Sequence, residues 1–227
     1  MKNILENKNR IFICTLLIAI GITIRIFLHN NLPESPSIYI TINGLTQPMF
    51  MLDLFFIVAV ISLLSGILLG GYYTFIVPIV TMIISDLIIG NNWIVLFTWS
   101  GFVVIGLIGY LLKIKNCLKI KRTPTILGAG IGGILFYDLW TNFGTWLGGW
   151  YPQTTDGLIL CYTYALPFMF WHLLSTVITL SVVVIPIVYL KENKLLKDDS
   201  SVNQFEKRTT IALSLILMVL SIIAVVV

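Results

Sequence analysis

Six ionisable side chains and one amide fall inside, or at the ends of, long apolar runs. They are Arg25, His29, Asp53, Asp86, Asp138, His172 and Asn142. An ionisable group in the middle of a bilayer costs about 2.5–3.5 kcal/mol on insertion scales, so such groups turn inward and pair, or line a wet cavity. One arginine cannot neutralise three aspartates. Either Arg25 locks the bundle through Asp86 or Asp138, or it belongs to a binding site. At least one acid must be protonated, held by donors or close to water. Asp53, nearest the boundary, also fits a solvated helix start.

The richest stretch runs from Tyr137 to Pro152. Asp138, Asn142 and Trp146 recur every four residues and so share one helix face. An acid, an amide and an indole on one face can orient a polar, ring-containing ligand. Trp150 and Tyr151 fit equally an interfacial aromatic belt. His29, His172 and Cys161 are the residue types of a soft-metal site, but isolated rim side chains account for them as well, and no metal site is assigned. There is no G-x-S-x-G, H-E-x-x-H or Walker loop. The expectation is therefore not an enzyme, with no cofactor.

These residues need elements to position them. The chain is 58% hydrophobic and 11% charged, where a soluble domain carries about 25% charged residues. A span needs roughly 20 apolar residues. The pattern predicts seven spans: Ile11–His29, Met49–Leu69, Tyr72–Ile89, Asn92–Leu112, Thr125–Leu147, Phe168–Leu190 and Thr209–Val227. Gly70-Gly71 and Gly90-Asn91 mark tight turns. With this count, every lysine and arginine except Arg25 falls on one side: Lys2, Lys8 and Arg10; Lys113 to Arg122; Lys191 to Arg208. Basic short loops stay cytoplasmic, which sets the N-terminus inside in a multi-pass cell-membrane protein. Arg25, His29, Asp86, Asp138, Asn142 and His172 then all lie toward the outer side. That describes a polar cavity open to the outside over an apolar base. The net charge of +4 follows from topology and anionic lipid; no basic patch interleaves with stacking aromatics, so no nucleic-acid partner is expected.

The expected fold class is all-α: a polytopic membrane helical bundle with a six-helix core and one appended C-terminal transmembrane helix. Residues 1–190 form the core, 191–208 a charged cytoplasmic linker, and 209–227 the seventh helix, which looks like an anchor. Leu158–Leu190 is apolar throughout and too long for one straight span, so Pro167 is read as a break between a short interfacial helix, Gly157–Leu166, and a full span. The proline-rich outer segment Asn30–Gln47 could cover a cavity. Ser62, Gly66 and Gly70, and again Gly128 and Gly132, form small-residue stripes that let helices approach closely, read as internal packing. Cys14, Cys117 and Cys161 make no C-x-x-C. The N-terminal run mimics a signal peptide but lacks a small-residue cleavage site, so it is read as a retained span.

Three stretches, Pro78–Gly90, Phe136–Trp146 and Tyr151–Tyr162, resemble a group of uncharacterised small prokaryotic inner-membrane proteins over roughly residues 15–190. That group is similar in size and layout to the substrate-binding S components of energy-coupling factor transporters. The resemblance implies a six-helix bundle that takes a vitamin or metal ion from the outer side and associates with a coupling subunit and ATPases. Two departures are visible: the seventh span is extra, and the A-x-x-x-A stripe of the first helix is represented only by Thr15 and Ala19. The expected function is capture of a small polar solute by Arg25, His29, Asp86, Asp138, Asn142, Trp146, Tyr151, Tyr162 and His172. The alternative is an accessory or scaffold subunit whose buried charges are structural.

Overall fold

The computed structural model describes residues 2–31, 39–42, 45–48, 56–193, 202 and 204–226. Asp53 and half of the proline-rich outer segment lie outside these residues, so the expectations placed on them are not addressed. The described chain is a helical bundle: α1 (Lys2–Asn31), α2 (Phe56–Leu64, extended by a π-helical turn Ser65–Leu69), α3 (Tyr73–Ile89), α4 (Val95–Ile114), α5 (Thr123–Leu147), α6 (Thr155–Glu192) and α7 (Gln204–Val226). One small hairpin interrupts this, β1 (Tyr39–Ile42) against β2 (Leu45–Pro48), with Tyr39 opposite Pro48. Four helical stretches are long and apolar enough to cross a membrane: Lys8–Asn31, α4, α6 and Gln204–Val225; Ile57–Leu69 and Tyr73–Ile89 are shorter apolar helices. The protein is accordingly described as a membrane protein.

Successive helices neighbour one another from α3 to α6, α1 lies along α3, and α2 sits in the middle, touching α1, α3, α4, α5 and α6. The turns form where glycine permits left-handed backbone: Gly70 (φ 67°), Gly71 (φ 57°) and Gly90 (φ 82°). L-side chains are disfavoured there. Between α2 and α4 the backbones touch. A Cβ on Gly66 would lie 2.0 Å from the Gly106 carbonyl oxygen, and one on Gly109 would lie 2.2 Å from that of Leu63. The Ser62–Gly66 stripe is thus a buried internal seam. The second stripe differs: Cβ atoms on Gly128 and Gly132 would meet nothing within 4 Å.

Basic side chains gather at one end and hold it together. Lys113 Nζ donates to the carbonyls of Leu68 (2.7 Å) and Leu69 (3.0 Å), carbonyls that the end of a helix leaves without partners. Arg10 donates to Leu69 (3.4 Å), pairs with Glu206 at 3.6 Å, and lies 4.8 Å from the centre of the Tyr73 ring. A cation beside a helix C-terminus also offsets its dipole. The starts of α1, α3 and α7 and the ends of α2 and α4 therefore share this end. Arg25, Asp86 and Trp99 share the opposite one.

One expectation is corrected. Pro167 does not break the chain: α6 is one helix of 38 residues containing both Pro167 and Pro186. At 1.5 Å per residue it is about 57 Å long, so it tilts or extends past a ~30 Å core. Its first turns are fixed from outside the helix. The Thr154 hydroxyl caps the start by accepting from Gly157 N at 3.1 Å, Cys161 donates to the Asn142 carbonyl at 3.4 Å, and the Tyr162 hydroxyl donates to that of Leu139 at 2.9 Å. These contacts with α5 offset the local loss at proline, which packed membrane helices tolerate. The seventh helix packs against α4. Ser221 donates to the Leu96 carbonyl (2.8 Å) and lies 3.1 Å from Ser100 Oγ, which also accepts from Trp140 Nε1 at 2.8 Å. Thr210, Ser214 and Ser221 are buried; Ser221 is the one that bonds to α4, while the Ser214 hydroxyl donates to the Thr210 carbonyl within α7. Replacing Ser221 with alanine, which removes the hydroxyl without adding bulk at a buried position, should destabilise the contact of α7 with α4 by about 1 kcal/mol, read as a lower melting temperature.

Candidate functional site

The sequence-predicted polar residues divide into two clusters on different sets of helices. The first joins α1, α3 and α4. Arg25, 3% exposed, places Nη1 2.5 Å from Asp86 Oδ1 and also donates to the Ser85 hydroxyl. Asp86 Oδ2 accepts from Trp99 Nε1 at 2.7 Å and from Asn91 Nδ2 at 2.6 Å. Of the two partners open to Arg25 on sequence grounds, Asp86 is the one in contact. Both carboxylate oxygens are occupied by donors, as a buried charge requires. Trp99 and Asn91 were not anticipated. Their signal was available: the chain turns at Gly90, so a residue one turn into α4 returns alongside Asp86. Ser85 is the neighbour of Asp86 and spends its own hydroxyl on the Thr81 carbonyl at 2.7 Å.

The second cluster lies between α5 and α6. Asp138, 1% exposed, places Oδ1 2.5 Å from His172 Nδ1. The Tyr137 ring packs against the imidazole, with centroids 6.3 Å apart. Asp138 Oδ2 is buried and has no hydrogen-bond partner among the described residues. A buried carboxylate oxygen with a missing donor is a costly feature.

Of the rest of the acid–amide–indole face, Asn142 contacts Asp138 and Trp146 does not. Asn142 turns its amide back to the Asp138 carbonyl at 2.8 Å, which leaves its own oxygen as the group it can offer. Trp146 Nε1 donates to the Pro152 carbonyl at 3.0 Å. That bond ties the end of α5 to the following turn. Tyr151 stacks on Tyr164 with centroids 6.3 Å apart; burial raises the Tyr151 hydroxyl above its usual range, so it remains a neutral donor and acceptor. Trp150 is exposed and lies 6.0 Å from Trp93, ring to ring, consistent with a belt at the boundary. Tyr162 points its hydroxyl to α5.

His29 joins neither cluster. It is exposed in the last turn of α1, where a basic side chain complements the helix dipole. Cys161 is buried against Asn142. Among the described residues, no three His, Cys, Asp or Glu side chains come together as metal ligands, so the trio of His29, His172 and Cys161 is not assembled.

Comparison with curated proteins and with solved structures returns no match. Comparison with protein families does: the model of a family of unknown function (DUF6580) matches residues 5–197, and the chain belongs to that family.

Proposed function

We propose that this protein captures a small polar solute from the outer side of the cell membrane, at a site centred on Asp138 and His172. One observation carries the reading: a buried carboxylate, held on one side by an imidazole, has its second oxygen without a donor. The surrounding residues are of the kinds that hold small ligands, a few fixed polar groups in an otherwise apolar and aromatic wall. In this reading residues 1–190 work as a six-span core with a cytoplasmic N-terminus, and α7 stabilises α4 from outside that core. The matched family region ends at residue 197, before α7 begins at Gln204, which suits that division. The resemblance to transporter S components adds a coupling subunit and ATPases as partners that would drive release inward.

Arg25 and Asp86 support a second reading for their half of the molecule. Their charges and hydrogen bonds are mutually arranged, as in a structural lock, and the accessory-subunit alternative would extend that role to the whole chain.

A thermal-shift screen of vitamins, nucleobases and divalent metals on the purified protein decides between the two. Capture predicts a stabilising ligand whose effect is lost in Asp138→Asn; if no solute stabilises the protein, the scaffold reading replaces capture. Orientation is checked separately in intact cells. Starting from a variant without the native cysteines, Asn91→Cys and Thr154→Cys should label from outside with an impermeant maleimide, and Asn116→Cys and Ser200→Cys should not. Outside labelling at position 116 would reverse the topology and place the site on the cytoplasmic face.

A further inference from the structure

We propose that the corner between α4 and α5 holds one anionic phospholipid, with its phosphate on Lys119, Lys121 and Arg122 and an acyl chain along the open face of α5. This is independent of solute capture. The corner is built to hold its shape. The chain reverses through Asn116, in left-handed backbone (φ 50°), while Cys117 N donates to the Leu112 carbonyl at 2.9 Å. One 3-10 turn follows, Ile120–Arg122, and leads into α5. Cys117 and Leu118 are buried and seat the corner on the bundle. Arg122 Nη1 donates back to the Lys115 carbonyl at 3.0 Å. Ile120 N donates to Glu192 Oε2 at 3.0 Å, which ties the corner to the end of α6.

Charge then asks for an anion. Lys115, Lys119, Lys121 and Arg122 are all exposed on this short connection. The acid that reaches it, Glu192, accepts from backbone Ile120 N. Among the described residues, no carboxylate forms an ion pair with any of the four cations. Such a cluster attracts anions. Its setting selects the kind. Ile114 and Ile120 lie among these cations and are half exposed. Aliphatic side chains on a membrane protein favour the bilayer, and long cationic side chains beside them keep their charged ends at the headgroup level. An acidic protein in solution would meet the cations and leave both isoleucines in water.

The helix that leaves the corner shows where the chain would lie. Thr125, Gly128, Gly132 and Leu135 are exposed and spaced by three and four residues, so they share one face of α5. A Cβ on Gly128 or Gly132 would meet nothing within 4 Å, which makes this face a bare strip between the cations and Leu135. From Thr125 to Leu135 the strip runs about 15 Å at 1.5 Å per residue. That is about half of a ~30 Å hydrocarbon core, the depth of one leaflet. A cationic end joined to an apolar strip of leaflet depth matches a phospholipid. A net negative headgroup is preferred over a zwitterionic one, because each surface lysine or arginine adds attraction to anionic lipid.

The test uses the full-length protein in mild detergent, with phosphatidylglycerol as the probe and phosphatidylcholine and glycerol 3-phosphate as controls. Native mass spectrometry should show one phosphatidylglycerol retained per chain, in preference to either control. The double variant Lys119→Gln with Lys121→Gln, at exposed positions, should bind it about thirtyfold more weakly, roughly fivefold for each lysine. Lys207→Gln with Arg208→Gln removes the same charge from exposed positions at the same end and should bind within about threefold of the unaltered protein. Gly128→Leu fills the strip and should also weaken binding, with all cations in place. Equal losses in the two charge variants would reduce the site to diffuse attraction and overturn it. Equal retention of phosphatidylcholine, or glycerol 3-phosphate bound as tightly as the lipid, would overturn the ligand class. Unchanged binding in Gly128→Leu would overturn the path of the chain. The solute screen is unaffected by any of these results.

Discussion

Arg25→Ala should lower the folded yield of the protein in detergent severely, by the equivalent of about 3–5 kcal/mol, because it strands the Asp86 carboxylate in the bundle. Arg25 is 3% exposed and 2.5 Å from Asp86. Removing both charges together is a different matter, since a buried ion pair replaced by apolar groups of similar volume is often neutral. The double variant Arg25→Met with Asp86→Leu should recover much of the yield. Arg25→Met with Asp138→Leu should not, since Asp138 is bonded to His172 in another helix pair. Size-exclusion chromatography of the variants after mild solubilisation gives the answer. Rescue through Asp138 would mean that the pairing is misassigned.

The largest effect from packing alone is expected at Gly66. A methyl group there would enter the Gly106 carbonyl at 2.0 Å and approach the Tyr110 nitrogen at 2.5 Å. Both are backbone atoms of α4 and cannot rotate away. Overpacking a core usually costs about 1–3 kcal/mol; a clash with backbone on both sides belongs at or above the top of that range. Gly66→Ala should therefore lower the melting temperature markedly, or abolish folding. Gly128→Ala is the matched control, with nothing within 4 Å of its Cβ, and its higher helix propensity should leave stability unchanged or improve it by up to about 1 kcal/mol. Equal melting temperatures for the two variants would show that α2 and α4 do not touch as described.

These two predictions draw on features of different legibility. The glycine turns and the basic-end pattern could be read from residue type, because both follow from local rules: left-handed backbone in one case, charge exclusion from hydrocarbon in the other. The presence of a buried arginine partner was also legible from cost, but its identity was not. Spacing along the chain left Asp86 and Asp138 equivalent, and only the approach of α1 to α3 separates them. Pro167 misled for a related reason. Its local penalty is real, yet Cys161 and Tyr162 anchor the preceding turns to α5, and no sequence rule registers that contact. The seventh helix is set apart in the sequence by its lack of ionisable residues, while its polar contact with α4 comes through the Ser221 hydroxyl, which hydropathy scarcely registers. In the site, the helical face of Asp138, Asn142 and Trp146 was legible as a period of four. The role of His172 as the partner of Asp138 was not, since it depends on the pairing of α5 with α6. His29 shared a residue type with the site and nothing else.

In the proposed reading two buried acids do different work: Asp86 holds the bundle, and Asp138 binds the solute. Isothermal titration of a stabilising solute tests that division directly, using three proteins: the unaltered chain, Asp138→Asn, and the rescued double variant Arg25→Met with Asp86→Leu. The account predicts that the double variant binds within about threefold of the unaltered protein, and that folded Asp138→Asn loses affinity by tenfold or more, the weight of one charge-assisted hydrogen bond. Retained binding in Asp138→Asn with loss in the double variant would contradict it, and would move the site to the Arg25–Asp86 end of the bundle.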